Sequence, residues 1–131
     1  MCGRRDPTTI AAVIECCLLV DDSQTFLEAA QGLLERQGLR VVGVASNGVD
    51  ALRLTRELKP DVVLLDVDLG ADSGFDVVRR LRDDDTSPPV ILISTHSEQD
   101  YRELVTASPA AGFLPKAHLS AGAIRSLLDR N

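Results

Sequence analysis

The chain has 131 residues with a formal net charge of −6, 44% hydrophobic and 26% charged residues, which is typical of one globular domain. The acidic balance argues against a direct nucleic-acid partner, because neutralising phosphates requires clustered lysines and arginines. The longest apolar stretch, Ile10 to Val20, is broken by Glu15 and is too short to span a bilayer, so we expect no membrane partner.

Five short apolar runs predict the strands of a parallel sheet. Runs without polar residues suit strands that are covered on both faces, and the segments between them have the spacing of amphipathic helices. Strands joined by helices of this length form a parallel sheet with right-handed crossovers, so the fold class is α/β. The predicted strands are 16–20, 40–45, 62–65, 90–93 and 111–114.

Helix signals fall between these strands. Ser23 can cap a first helix, which Gly38 ends, and a second helix ends before Pro60. Residues 70–74 and 83–89 are predicted loops. The apolar faces of the later helices are marked by Phe75, Val78 and Leu81, by Tyr101, Leu104 and Val105, and by Ala123, Ile124, Leu127 and Leu128.

The chain is expected to contain a single folded unit over 14–131, with no output domain after it. Residues 1–13 are polar and then small, and we expect a flexible N-terminal extension there. The three cysteines, Cys2, Cys16 and Cys17, lack the spacing of metal ligands. They favour reduced thiols, and therefore a cytoplasmic protein.

Polar residues directly follow four of the predicted strands. Asp21 and Asp22 follow the first strand, Asp66 the third, Ser94 the fourth and Lys116 the fifth. The carboxyl ends of parallel strands share one edge of the sheet, where ligands bind. Carboxylates brought together repel one another unless a cation intervenes, and Mg²⁺ prefers carboxylates together with waters and phosphate oxygens. The sequence therefore predicts a site for Mg²⁺ and a phosphoryl group at this edge.

The motifs around these residues resemble the bacterial two-component response-regulator receiver family. The matching segments are LLVDDS (18–23), VVLLDVDLG (62–70), Gly74, PVILIST (89–95) and GFLPK (112–116). The resemblance covers nearly the whole chain and implies a flavodoxin-like (βα)5 sheet with strand order 2-1-3-4-5 and helices on both faces. GFLPK most resembles receivers that usually carry a helix-turn-helix output domain, whereas this chain is expected to be a stand-alone receiver similar to the chemotaxis regulators.

The resemblance implies phosphorelay signalling rather than turnover catalysis. Asp66 would accept a phosphoryl group from a sensor histidine kinase or a phosphotransfer protein, giving an acyl phosphate. Mg²⁺ would be held by the carboxylates of Asp21, Asp22 and Asp66 and by the backbone carbonyl of Asp68. The protein would act as a monomer or a transient dimer on an unknown downstream protein.

The resemblance also implies a switch. Ser94 would move toward the phosphoryl group and Lys116 would pair with it, while Phe113 would turn inward as Ser94 moves. These shifts would change a protein-interaction face formed by the last helices and the fifth strand. Two departures from the family pattern stand out, because Gly70 occupies the place of a common proline and Ala117 follows Lys116 where proline is also common.

Two other functions remain open from the sequence. Asp66-Val67-Asp68 has the two-aspartate spacing of haloacid-dehalogenase-like phosphatases, in which the second aspartate is a general acid. The chain could also be a receiver-like docking module that works without phosphorylation. In a simpler interpretation, Asp21 and Asp22 only favour a helix N-terminus and Lys116 is a solvated loop residue.

Overall fold

The central sheet has five parallel strands with helices on both faces. The structure is a computed structural model that describes residues 14–83 and 87–129, and the predicted extension over 1–13 lies outside these residues. The strands are β1 (Cys16–Val20), β2 (Arg40–Ala45), β3 (Val62–Asp66), β4 (Val90–Ser94) and β5 (Gly112–Pro115). The helices are α1 (Gln24–Arg36), α2 (Gly48–Leu58), α3 (Gly74–Leu81), α4 (Arg102–Ala107) and α5 (Ala121–Asp129).

The strands lie in the order β2-β1-β3-β4-β5, which confirms the predicted topology. The pairing register brings the carboxyl ends of the strands level with one another. Val20 pairs with Leu65, and Ser94 pairs with Pro115. The first polar residues beyond β1 and β5 therefore emerge at the same edge as Asp66, the last residue of β3.

The sheet separates two hydrophobic cores, which explains why its strands are apolar throughout. Alternate residues of each strand point to opposite faces. On one face α1 and α5 pack against residues such as Leu19, Leu64 and Ile93. On the other face α2, α3 and α4 pack against residues such as Val20 and Leu65. Cys16 and Cys17 are both fully buried in β1.

Local sequence signals account for the helix ends. The Ser23 side chain accepts a hydrogen bond from the backbone N–H of Phe26, which caps α1 as predicted. Gly38 takes the left-handed conformation with φ of +86°, which lets the chain turn back into β2. Asn47 caps α2 through the N–H of Asp50, and Lys59 ends this helix in the left-handed region.

Two regions differ from the sequence-based expectation. Residues 70–73 of the predicted loop 70–74 belong to a short antiparallel hairpin, which pairs Asp68–Leu69 with Asp72–Ser73, and Gly74 begins α3. Gly70 has φ of +73°, and its lack of a side chain permits this tight reversal. The fourth helix is short, because a 3₁₀ turn over Glu98–Tyr101 precedes the six residues of α4.

We predict that Gly74→Ala destabilises the protein, although alanine is normally the better helix former. A Cβ at this position would lie 2.3 Å from the backbone oxygen of Asp66 and 2.7 Å from Cα of Val67, so backbone would have to move. We expect the free energy of unfolding, measured by urea denaturation, to fall by about 3 kcal/mol.

Gly32→Ala is the matched control within α1. A Cβ there would meet only the flexible end of Arg36, at 3.2 Å. This variant should gain about 0.5 to 1 kcal/mol. Equal effects of the two substitutions would show that the approach of Gly74 to β3 is not what restricts this position.

Candidate functional site

The structure brings together the predicted residues that end β1, β3 and β5. The Lys116 ammonium Nζ lies 2.6 Å from Oδ2 of Asp21 and 3.4 Å from Oδ2 of Asp66. The side chains of Asp21 and Asp66 are almost completely buried, and that of Lys116 is mostly buried. Such a pair of contacts in a shielded site is stronger than a surface ion pair, because water screens it less.

Asp22 completes an acidic cluster at the same edge. Asp21, Asp22 and Asp66 each offer one carboxylate oxygen, and these oxygens lie within 4.8 Å of one another. Asp22 is exposed, so the cluster opens to solvent on its side. The Asp21 Oδ1 atom accepts a hydrogen bond from the backbone N–H of Ser23. Its Oδ2 atom is buried and, within the described part of the chain, accepts no hydrogen bond beyond the ion pair with Lys116.

Burial and the neighbouring charges both change the ionisation of Asp66 and Lys116. The pKa of Asp66 is raised from 3.8 to about 6, mainly by burial and also by the charge of Asp21, against the opposing effects of the Asp68 N–H and Lys116. Burial also disfavours the charged form of Lys116, but its hydrogen bond to Asp21 and the charges of both aspartates raise its pKa. Lys116 therefore stays protonated, whereas Asp66 gains or loses its proton near pH 6.

The donor set fits a hard divalent cation. Three carboxylates face one ammonium, so two negative charges are left to be neutralised. All the available ligand atoms are oxygens, which are the ligands that Mg²⁺ prefers. The hairpin borders this space, because a Cβ on Gly70 would lie 3.5 Å from Oδ2 of Asp22. Asp68 lies two residues after Asp66, and its backbone N–H donates to Oδ1 of Asp66.

Ser94 lies at the end of β4 but is bonded within its own turn. Its hydroxyl oxygen accepts a hydrogen bond from the backbone N–H of His96 at 3.0 Å. Phe113, on β5, is buried in the core between the sheet and α2, α3 and α4. The structure describes one position of Phe113, which is buried, so its movement in response to Ser94 stays a prediction.

A link between Ser94 and an aromatic cluster could not be seen in the sequence. The Tyr101 hydroxyl lies 3.4 Å from Nδ1 of His96, and the ring of Tyr101 packs between Phe75 and Phe113, with centroids 6.0 and 6.3 Å away. The helical spacing of Tyr101 indicated packing, but the contact with His96 depends on the 3₁₀ turn that the pattern did not predict.

Phe26 is a second site neighbour that the sequence did not reveal. The Lys116 ammonium lies 4.4 Å from the centroid of its ring. A cation over an aromatic face is stabilised electrostatically, by about 0.5 to 2 kcal/mol depending on burial. Phe26 lies in the first turn of α1, close to the residue that follows β5.

The comparisons with known proteins agree with this geometry. Residues 17–128 match the response regulator receiver domain. The chain belongs to this family. The receiver domain is 35% identical over 100 residues to the response regulator GacA of Pseudomonas aeruginosa, covering 76% of this chain and 47% of GacA. Receiver domains are signalling modules rather than turnover enzymes, although some relatives carry enzymes in other domains, as the names of protein-glutamate methylesterases indicate.

Solved structures support the same assignment. The signal receiver domain of the response regulator NarL from Mycobacterium tuberculosis is 31% identical, with a TM-score of 0.76 over 88% of this chain and 94% of that one. A LuxR-family two-component response regulator from Aurantimonas sp. SI85-9A1 is 28% identical, with a TM-score of 0.79 over 88% and 86% of the two chains. The receiver spans less than half the length of the curated relatives it matches. Among its described helices none is long and apolar enough to cross a membrane.

The raised pKa of Asp66 predicts an unusual dependence of stability on pH. Between its ordinary value of 3.8 and about 6, the folded protein holds this proton more tightly than the unfolded chain does. Stability in buffer without divalent ions should therefore fall as the pH rises through this interval, by at most about 3 kcal/mol.

The isosteric substitution Asp66→Asn removes the titrating group. We expect this variant to be more stable than the wild type above pH 6, by about 1 to 3 kcal/mol, and the difference to vanish near pH 4. Urea denaturation at a series of pH values measures it. A difference that stays constant across the series would rule out charge burial as its cause.

Proposed function

We propose that this receiver works in a phosphorelay in the cytoplasm, accepting a phosphoryl group on Asp66 from a sensor histidine kinase or a phosphotransfer protein. One observation carries the proposal. The Lys116 ammonium touches both Asp21 and Asp66, at a cluster of three carboxylates that opens to solvent at Asp22. This arrangement places a nucleophilic carboxylate next to a fixed positive charge, as acceptance of a phosphoryl group requires.

The carboxylates of Asp21, Asp22 and Asp66 would hold Mg²⁺, together with the backbone carbonyl of Asp68. The buried Oδ2 of Asp21 and the two unneutralised charges of the cluster support this choice. When bound, the ion supplies positive charge to the phosphoryl oxygens. Its charge would also counteract the burial and the repulsion from Asp21 that raise the pKa of Asp66, and so favour the carboxylate form that acts as the nucleophile.

In the transfer step, a carboxylate oxygen of Asp66 forms a bond to phosphorus. The bond between phosphorus and the histidine nitrogen of the donor breaks, and its electron pair stays on that nitrogen. The product on this chain is an acyl phosphate, and no proton is taken from Asp66 because it reacts as the carboxylate. Lys116 pairs with a phosphoryl oxygen and offsets the charge that develops there.

Phosphorylation would operate a switch because it changes the partners of two residues on different strands. It adds about −1.5 to −2 charges at neutral pH. Lys116 would exchange part of its contact with Asp21 for the phosphoryl group. Ser94 would leave the His96 N–H and donate to a phosphoryl oxygen, and the aromatic cluster around Tyr101 and Phe113 would rearrange. The face formed by α4, β5 and α5 would then bind or release a downstream protein.

The rival phosphatase function has less support from the geometry. A general acid two residues after the nucleophile would have to approach the leaving group. The Asp68 side chain is instead exposed, and its Oδ1 accepts a hydrogen bond from the backbone N–H of Gly70 within the hairpin. Sustained turnover of a phosphate ester, rather than the gain of a single group, would favour the phosphatase.

The direct test is phosphorylation with acetyl phosphate and Mg²⁺, read by intact-protein mass. The wild type should gain one phosphoryl group, and chelation of Mg²⁺ should prevent the gain. Asp66→Asn should gain none, because its amide is not a nucleophile. Lys116→Met should be labelled at least about 100-fold more slowly, since it removes the charge that stabilises the transition state. Labelling of Asp66→Asn at the wild-type rate would contradict the assignment of the acceptor.

The switch can be followed through the fluorescence of Tyr101. The chain has one tyrosine and no tryptophan, so its intrinsic fluorescence comes from this residue. Because Tyr101 contacts His96, whose N–H is held by Ser94, beryllofluoride with Mg²⁺ should produce a saturable change in intensity. Ser94→Ala should abolish the change.

Ser108→Ala is the matched control for the fluorescence experiment. The Ser108 hydroxyl also makes a hydrogen bond within its own turn, which it donates to the carbonyl oxygen of Val105. Ser108 lies at the C-terminal end of α4 and is not one of the residues around Asp66. This variant should respond as the wild type does. A full response in Ser94→Ala would mean that Ser94 does not transmit the signal.

A further inference from the structure

The hairpin that follows β3 forms one wall of the acceptor site. The backbone N–H of Asp68 donates to Oδ1 of Asp66 at 3.2 Å, and the turn at Gly70 lies against Asp22. The position of the hairpin therefore sets where the backbone of Asp68 lies relative to the acceptor. A pairing of two residues with two cannot fix that position alone, since so short a hairpin has little stability of its own.

Asp72 connects this hairpin to the N-terminal end of α2. Its Oδ2 accepts a hydrogen bond from the backbone N–H of Gly48 at 2.9 Å, across 24 positions of the sequence. Asp72 pairs with Leu69, which follows Asp68 in the sequence, so the bond to Gly48 holds the part of the hairpin that lies beside Asp68. The carboxylate thus joins the hairpin to the first residue of α2.

The local chemistry makes this bond strong. The first N–H groups of a helix have no partner within the helix, and the N-terminal end carries a partial positive charge. Asn47 serves the N–H of Asp50, which leaves the N–H of Gly48 for Asp72. The close approach depends on glycine, because a Cβ on Gly48 would lie 3.0 Å from Val77 and 3.4 Å from the Asp72 carboxylate.

We propose that Asp72 is a positioning residue of the phosphoryl-acceptor site, which it orders through the bond to Gly48 without touching the reacting groups. This bond holds the hairpin in the place where the Asp68 backbone faces Asp66 and the metal position. The inference rests on the proposed function, because its purpose is to preform the metal and phosphoryl site. Mutation of residues that orient metal ligands commonly lowers metal affinity tenfold or more.

The test compares two acidic residues at the same helix end. Asp72→Ala removes the tether, whereas Asp50→Ala removes a half-buried acid in the first turn of α2 that bonds to Asn47 and Arg53 and not to the hairpin. Calorimetric titration with Mg²⁺ should show about fivefold or greater weakening for Asp72→Ala and less than twofold for Asp50→Ala. Asp72→Ser, whose hydroxyl is too short to reach Gly48, should match Asp72→Ala and provides a second variant.

Amide hydrogen exchange gives a readout that needs no phosphorylation. The amides of Gly48 and Asp68 should exchange faster in Asp72→Ala, while those in the middle of β3 keep their protection. Asp72→Asn keeps an acceptor oxygen and should restore both protection and Mg²⁺ affinity to within about twofold. With acetyl phosphate, the slow labelling of Asp72→Ala should recover at saturating Mg²⁺.

The outcomes separate the two proposals. Unchanged Mg²⁺ affinity in Asp72→Ala, or equal weakening in Asp50→Ala, would overturn the positioning role. Failure of the wild type to gain a phosphoryl group, with the predicted differences in Mg²⁺ affinity and amide exchange intact, would overturn the proposed function and leave the tether established.

Discussion

The ammonium of Lys116, shared between two buried carboxylates, is the interaction on which the site depends. Asp21 and Asp66 come from strands β1 and β3, and burying both as charged groups is costly unless a cation lies between them. Lys116 supplies that cation from β5, across the sheet. It neutralises one charge only, so the cluster stays acidic, which supports the proposed divalent ion.

Several contacts outside this ion pair hold its members in place. The Ser23 N–H fixes Asp21, the Asp68 N–H fixes Asp66, and the ring of Phe26 lies against the Lys116 ammonium. The hairpin and its bond from Asp72 to Gly48 extend this support to α2. The geometry of the site therefore depends on four segments that fold together: the turn from β1 into α1, β3 with its hairpin, α2, and the end of β5. Residues that do not react can still influence its chemistry.

The same contacts would let the proposed phosphorylation act as a switch. Ser94 and Lys116 both have partners before any phosphoryl group arrives, in the His96 N–H and the Asp21 carboxylate. Under the proposed function, a phosphoryl group would compete for both residues at once, so its arrival would favour a second arrangement rather than a gradual adjustment. The aromatic contacts of Tyr101 connect that competition to the surface near α4.

The sequence by itself determined the fold class and the chemistry at the sheet edge. Apolar runs defined all five strands to within a residue or two, and parallel pairing required the polar residues after them to share one edge, so Asp21, Asp66 and Lys116 could be placed together in advance. Only the tertiary structure decided the hairpin, the bond from Asp72 to Gly48 and the contacts of Tyr101 and Phe26. The bond from Asp72 to Gly48 and the contact of Lys116 with Phe26 join residues distant in sequence. The hairpin and the contact of Tyr101 with His96 depend on irregular turns, which have no periodic pattern in the sequence.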